Sequence, residues 1–329
     1  MPTSREIHLV RRPEGLPVTE DFETTRVEVP DPGPGEVLVQ NLWMSVDPAM
    51  RPRLTAGYEL DQVMSATAIG RIVASEVEGL AEGDLVLNGN GFREYFASTE
   101  RGLRKLSPVP GHPITVHMHA LGGPGFTAYG GILHVARLSP ADRVFVSTAA
   151  GAVGSVAAQI AKIKGCWVVG STGSADKVTW LKEELGLDEA IDYRATPINR
   201  ALREVAEDGI DVYFDNVGGD HLDAALARMN TRGRIAACGM ISGYNERGAR
   251  TTVHNLANII YGRIEIRGFT VADFADQRDA FVRDMTTWLT EGRIKYRETV
   301  VEGIEAAPGA LIGLFRGVNT GKMLVKLAD

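Results

Sequence analysis

Val144-Phe145-Val146-Ser147-Thr148-Ala149-Ala150-Gly151-Ala152-Val153-Gly154-Ser155 is an apolar run that stops at a cluster of small residues and continues as a helix through Gln159 and Lys162. Small residues are needed at such a turn because a pyrophosphate has to approach the backbone and rest against the helix N-terminus. Ala149 takes the place of the usual first glycine, so the turn reads A-x-G-x-x-G. Alone, this pattern marks only a tight strand-to-helix turn; its surroundings decide. Downstream the chain alternates: strand Trp-Val-Val-Gly, helix 174–185, strand Ala-Ile-Asp-Tyr, helix near Leu202, strand Asp-Val-Tyr-Phe-Asp-Asn, helix near Leu222, strand Arg-Ile-Ala-Ala-Cys-Gly. This alternation predicts an α/β, doubly wound parallel sheet that binds a dinucleotide. A further strand is expected at 264–269 and a helix at 278–289.

Upstream, residues 27–97 are short β-type runs separated by turn residues, which predicts a β-rich barrel or sandwich. Pro108, Pro110 and Pro113 then mark a connection. The 329 residues are enough for two domains. Glycine, at 37 residues, exceeds the usual share of roughly 7% without forming a repeat. A net charge of −7 argues against an extended nucleic-acid or anionic-membrane surface. Cys166 and Cys238 are too few for a disulfide framework or a four-thiolate zinc site, and suit a reducing cytoplasm. No apolar run is long enough to span a bilayer, so a soluble cytoplasmic protein is expected.

The residues that read the ribose belong about 20 positions after the glycine turn. NAD enzymes place an acid there. This chain has Ser171-Thr172-Gly173-Ser174 and no carboxylate before Asp176. A 2′-phosphate is therefore not repelled. Lys177, in the first turn of a helix expected to be capped by Ser174, opposes the helix dipole unless an anion is bound nearby. Tyr193, ending the third strand, offers a phenol to the same phosphate. The expected cofactor is NADP(H). Asn216 with Gly218 and Gly219, and Cys238, Gly239, Ser242 and Tyr244, follow the fourth and fifth strands on the side where such sheets bind ligands.

The motifs Ser45-Val-Asp-Pro-Ala-Met-Arg51, Pro124-Gly-Phe-Thr-Ala-Tyr-Gly-Gly131, Ala149 to Cys166, Asp215-Asn-Val-Gly-Gly219, Cys238 to Asn245 and Asn319-Thr-Gly-Lys-Met-Leu-Val-Lys-Leu327 occur in this order. Together they resemble the zinc-independent medium-chain dehydrogenase/reductases of the leukotriene B4 dehydrogenase, prostaglandin reductase, curcumin reductase and plant double-bond reductase group. The resemblance spans nearly the whole chain. It implies a GroES-like catalytic domain, 1–120 with 293–329, a Rossmann domain, 121–292, and a homodimer. It adds Phe269 and Asn319 to the cofactor contacts, alongside Gly151, Ala152, Val153, Gly154, Ser155, Lys177, Tyr193 and Asn216. The chain departs from the family at Ala49, where a tyrosine is usual, and at Gly123, often methionine; both changes remove bulk.

The activity so implied is NADPH-dependent reduction of the C=C bond of small enones and enals, without metal. The enolate oxygen then needs hydrogen-bond donors. Tyr244 and, second, Tyr261 resemble pocket tyrosines of relatives. Quinone reduction, oxidation of a secondary alcohol and non-catalytic NADPH binding are the alternatives. His117 and His119 have metal-like spacing but no third ligand close in sequence, and no G-x-S-x-G nucleophile elbow is present.

Overall fold

The computed structural model describes residues 1–246 and 252–329. It divides into two compact units, Met1–Met118 with Glu298–Asp329, and His119–Arg297.

The first unit is β-rich. Its larger sheet runs in the order Glu298–Glu302, Lys322–Lys326, Glu36–Ser45, Ala68–Ser75, Leu85–Asn88, Arg104–Lys105, and Tyr95–Thr99 also pairs with Glu36–Ser45. Central strand Glu36–Ser45 buries Val37, Val39 and Met44 completely. Gly70 is required beside it, because a Cβ there would lie 2.3 Å from Val39 Cγ1. The first helix of this unit, Met50–Ala56, follows the Ser45–Arg51 motif. Arg51 is not the surface side chain common after a turn: it is buried, and donates to Gly15 O and Thr55 Oγ1 at 2.7 and 2.8 Å.

The closing strand Lys322–Lys326 is antiparallel to Glu36–Ser45. Its first residue, Lys322, is a fully buried lysine whose Nζ donates to Val46 O at 3.1 Å and to the Asp47 carboxylate. Ser45 Oγ donates to the same carboxylate. The C-terminal strand thereby fixes the backbone that enters the Met50–Ala56 helix. Loss of one partner of a buried pair costs more than loss of the whole pair, because a charge is left uncompensated. The Asp47 side chain is 34% exposed, which softens the effect. Asp47→Ala is expected to lower unfolding free energy by about 2–3 kcal/mol, and Lys322→Met by less. Urea unfolding of both variants checks the order, and a larger loss for Lys322→Met contradicts it.

The second unit holds a six-stranded sheet. Its strands are β1 (Arg143–Val146), β2 (Trp167–Thr172), β3 (Glu189–Asp192), β4 (Ile210–Asp215), β5 (Met229–Ala237) and β6 (Glu265–Gly268). They are all parallel, in the order β3-β2-β1-β4-β5-β6. This is the order expected of a dinucleotide-binding sheet, with the reversal beside β1. Val144, Phe145 and Val146 are all fully buried, as a strand covered on both faces must be. The helices named below are α1 (Ala152–Ile163), α2 (Ala175–Thr179), α3 (Ile198–Val205) and α4 (Gly219–Arg228). Phe145, Val169 and Tyr213 share one core with Leu202 of α3 and Leu226 of α4.

Two local expectations are corrected. The helix expected over 174–185 is α2 followed by a wider π-type segment, Trp180–Glu184, and Ser174 makes no side-chain cap. It enters the helix through its carbonyl, which accepts from Val178 N at 3.1 Å. Strand β5 starts at Met229, five residues before the run that suggested it, because a register shift opposite Ile210 and Val212 takes up the polar residues there.

Candidate active site

The turn between β1 and α1 is held by backbone. Ala149 N donates to Ser171 O and Gly151 N to Thr148 O, both at 2.9 Å. Thr148 is left-handed, at φ +51°. Gly154 has to be bare: a Cβ would lie 2.3 Å from Thr148 O, a backbone atom that cannot yield. Gly170 is bare for the same reason, with Ala149 Cβ 2.6 Å from the position its own Cβ would take. Gly151 is the N-cap of α1 and makes no side-chain cap, and Gly151, Ala152 and Val153 are half-buried. Uncapped N–H groups at the start of a twelve-residue helix, reached past glycine, fit a pyrophosphate. Ser155 is buried one step deeper, its Oγ without a partner among the described residues.

Beyond β2, a Cβ on Gly173 would lie 3.0 Å from Tyr193 Oη and 3.2 Å from Arg194 Nε. Lys177 is half-buried; burial first and the Arg194 charge second push its ammonium below the ordinary value. Tyr193 is packed edge-on by buried His221, ring centres 5.0 Å apart. Tyr193, chosen from sequence, is thus placed with Arg194 at Gly173 and against His221, and Lys177, also chosen, is within electrostatic reach of Arg194.

Under the turns after β4 and β5 lies a buried network. Asp215 Oδ1 accepts from Tyr213 Oη, Val217 N and Gly218 N at 2.7–2.9 Å. Burial raises the Asp215 carboxyl above its usual range. Asn216 Nδ2 donates to Ser147 O at 2.7 Å, tying the end of β4 to that of β1. The 238–244 loop is hung from this turn: Cys238 N and Gly239 N donate to Asp215 O at 2.9 and 3.0 Å, and Ser242 Oγ donates to Val217 O at 2.6 Å. Burial, then Asp215, push the Cys238 thiol up to about 12, so it is a packing group and no thiolate nucleophile. Half-buried Tyr244 folds over the loop, its Oη accepting from Met240 N at 3.4 Å, and a Cβ on Gly239 would be 3.4 Å from that oxygen.

Two profiles match the sequence, one described as the N-terminal domain of oxidoreductase over residues 5–106, the other as zinc-binding dehydrogenase over 152–288. Prostaglandin reductase 1 of Bos taurus is 40% identical, covering 95% of each chain. The NADP(+)-dependent 2-alkenal reductase of Nicotiana tabacum is 37% identical over 99% of this chain and 98% of its own. The crystal structure of CurA from Vibrio vulnificus in complex with NADPH superposes with a TM-score of 0.92, at 39% identity over 99% of both chains. The chain belongs to the medium-chain dehydrogenase/reductases.

In this medium-chain dehydrogenase/reductase no group of three His, Cys, Asp or Glu among the described residues is placed to hold a metal ion. Buried His119 instead lies with Nε2 3.2 Å from Ala152 O and its ring against Tyr296, and His117 Nε2 lies 2.9 Å from Ser107 O. The remaining expected residues are placed as follows. The Phe269 ring packs against Phe214 and Phe274. Tyr261 is 80% exposed on the short helix Asn258–Gly262. Asn319 belongs to the first unit, and its Nδ2 donates to Gly321 O at 2.8 Å. Ala49 and Gly123 are both exposed, and a Cβ on Gly123 meets nothing within 4 Å.

Burial pushes His221 down to about 4, with Asp220 opposing, whereas an imidazole in the unfolded chain titrates near 6.5. The unfolded state therefore binds more protons between these values, and stability falls as pH drops through 6.5 toward 4. The sensitive part amounts to about 3 kcal/mol and is lost below about pH 4. Unfolding of the unaltered chain and of His221→Phe across this window should show the difference between them shifting in favour of the variant as pH falls; parallel profiles contradict the assignment.

Proposed function

We propose that the chain reduces the C=C bond of α,β-unsaturated ketones and aldehydes with NADPH and without a metal. The observation that carries this is the end of β2, where an acid that would read a free ribose hydroxyl is absent, Tyr193 and Arg194 stand beside Gly173, and Lys177 is within electrostatic reach of Arg194. The names of the relatives supply the reaction class.

In this reading Gly151, Ala152, Val153, Gly154 and Ser155 hold the pyrophosphate, and Lys177 and Tyr193 the 2′-phosphate. Asn216, Cys238, Gly239, Ser242 and the Phe269 backbone border the nicotinamide half, and Asn319 is a further cofactor contact carried over from the family resemblance. The unit His119–Arg297 is the cofactor domain, and Met1–Met118 with Glu298–Asp329 is the substrate domain. When bound, NADPH supplies a hydride for the β-carbon. The residues of the chain stabilise the negative charge that moves to the substrate oxygen until the α-carbon is protonated. Tyr244 is the chosen donor, since a phenol hydroxyl can donate a hydrogen bond and its position beside Gly239 is set by the loop. Tyr261, far more exposed, is the second.

The protein is further read as a cytoplasmic homodimer. Both cysteines are free thiols, and among the described residues no helix is long and apolar enough to cross a membrane. The edge strand β6 is exposed along its length, next to exposed Ile260 and Tyr261.

NADPH absorbance followed with an enal, an enone, a quinone and a secondary alcohol with NADP+ tests the reading. Turnover of the enal and enone is expected, and binding without oxidation, or turnover of the quinone or alcohol alone, contradicts it. Tyr244→Phe is expected to lower kcat by roughly 10²-fold, and unchanged turnover removes Tyr244 from the chemistry.

A further inference from the structure

We propose that Arg194 is a second cation for the adenosine 2′-phosphate, acting beside Lys177, and that it sets the preference of this chain for NADPH over NADH. The inference rests on the reading of this site as one for NADP(H).

Parallel pairing puts Arg194 there. The β2–β3 register matches Thr172 with Asp192, and Tyr193 N then donates to Thr172 O at 3.0 Å. The two residues after β3 are thereby carried alongside the residues after β2. The phenol oxygen of Tyr193 and Nε of Arg194 converge on Gly173, within 3.0 and 3.2 Å of where a Cβ would stand. A side chain at 173 would press on both, so the bare backbone, the phenol and the guanidinium form one recess. Its polar groups are two donors of the kind an oxyanion takes.

The charge balance points the same way. Arg194 is close enough to act on the Lys177 ammonium. Neighbouring cations repel each other, and a phosphate dianion bound by both turns that repulsion into two favourable contacts. Asp192, two residues before Arg194, accepts from Arg194 N through Oδ1 at 2.9 Å. A guanidinium suits such a ligand, because its planar fork can grip two phosphate oxygens while an ammonium contributes a point charge. His221, buried against the Tyr193 ring, keeps the phenol in place from below. A ribose with a free 2′-hydroxyl gains little from either cation, and that difference is the selectivity.

The test is calorimetric titration of the full-length protein with adenosine 2′,5′-bisphosphate and, separately, 5′-AMP, for the unaltered chain, Arg194→Ala, Arg194→Lys and Lys177→Ala. The unaltered chain is expected to prefer the bisphosphate. Arg194→Ala should weaken bisphosphate binding by about 10- to 100-fold, the range of a charge-assisted contact, and leave 5′-AMP unchanged. Arg194→Lys should restore part of the loss. In turnover Arg194→Ala should raise KM for NADPH while kcat and the KM for NADH stay as they were. Bisphosphate binding by Arg194→Ala equal to that of the unaltered chain overturns the role of Arg194, as does an equal loss for both nucleotides. If the unaltered chain shows no preference for the bisphosphate, the NADP(H) reading falls and this inference with it.

Discussion

One contact governs the nucleotide-binding unit: the carbonyl of Thr148 against α1, close enough that only glycine is possible at 154. A helix held that near the end of its strand presents its first N–H groups at the carboxyl edge of the sheet, where no side chain of the N-cap residue covers them. Gly170 repeats the constraint on the neighbouring strand, and Ala149 N to Ser171 O joins the two. The loops that follow β2, β3, β4 and β5 are positioned from this platform.

The loops are held by two different means. After β4 and β5 a buried carboxylate, Asp215, gathers three donors and leaves its second oxygen without a partner among the described residues. Burying such a group is costly, but its hydrogen bonds give the turn a single shape. After β2 and β3 the device is strand register, which delivers Tyr193 and Arg194 to Gly173. The first arrangement sets where Tyr244 folds back, and the second sets what charge a ligand meets.

The parallel sheet was legible because β1, β2 and β4 each carry a short apolar run, 144–146, 167–169 and 212–214, and their spacing leaves room for helices. The early start of β5 was not, since Asn230, Thr231 and Arg232 carry no strand signal and are accommodated only by the register shift beside β4. Lys177 and Tyr193 were chosen because an expected acid was missing. Arg194 and His221 were not, although each is next to or near a residue that was chosen: local sequence does not say which way a strand-end side chain turns, nor which helix buries a histidine. The signal that would have found Arg194 was its place in register, one residue beyond a tyrosine already assigned. The exposure of Tyr261 and the bond of Asn319 to its own turn likewise depend on tertiary structure.

The central claim is that this arrangement directs a hydride to the β-carbon of an unsaturated carbonyl compound. Turnover of an enal with NADPH deuterated at the transferring position of C4, followed by NMR of the product, tests it most directly. Deuterium on the β-carbon of a saturated aldehyde is the predicted result; deuterium on the carbonyl carbon of an allylic alcohol contradicts it.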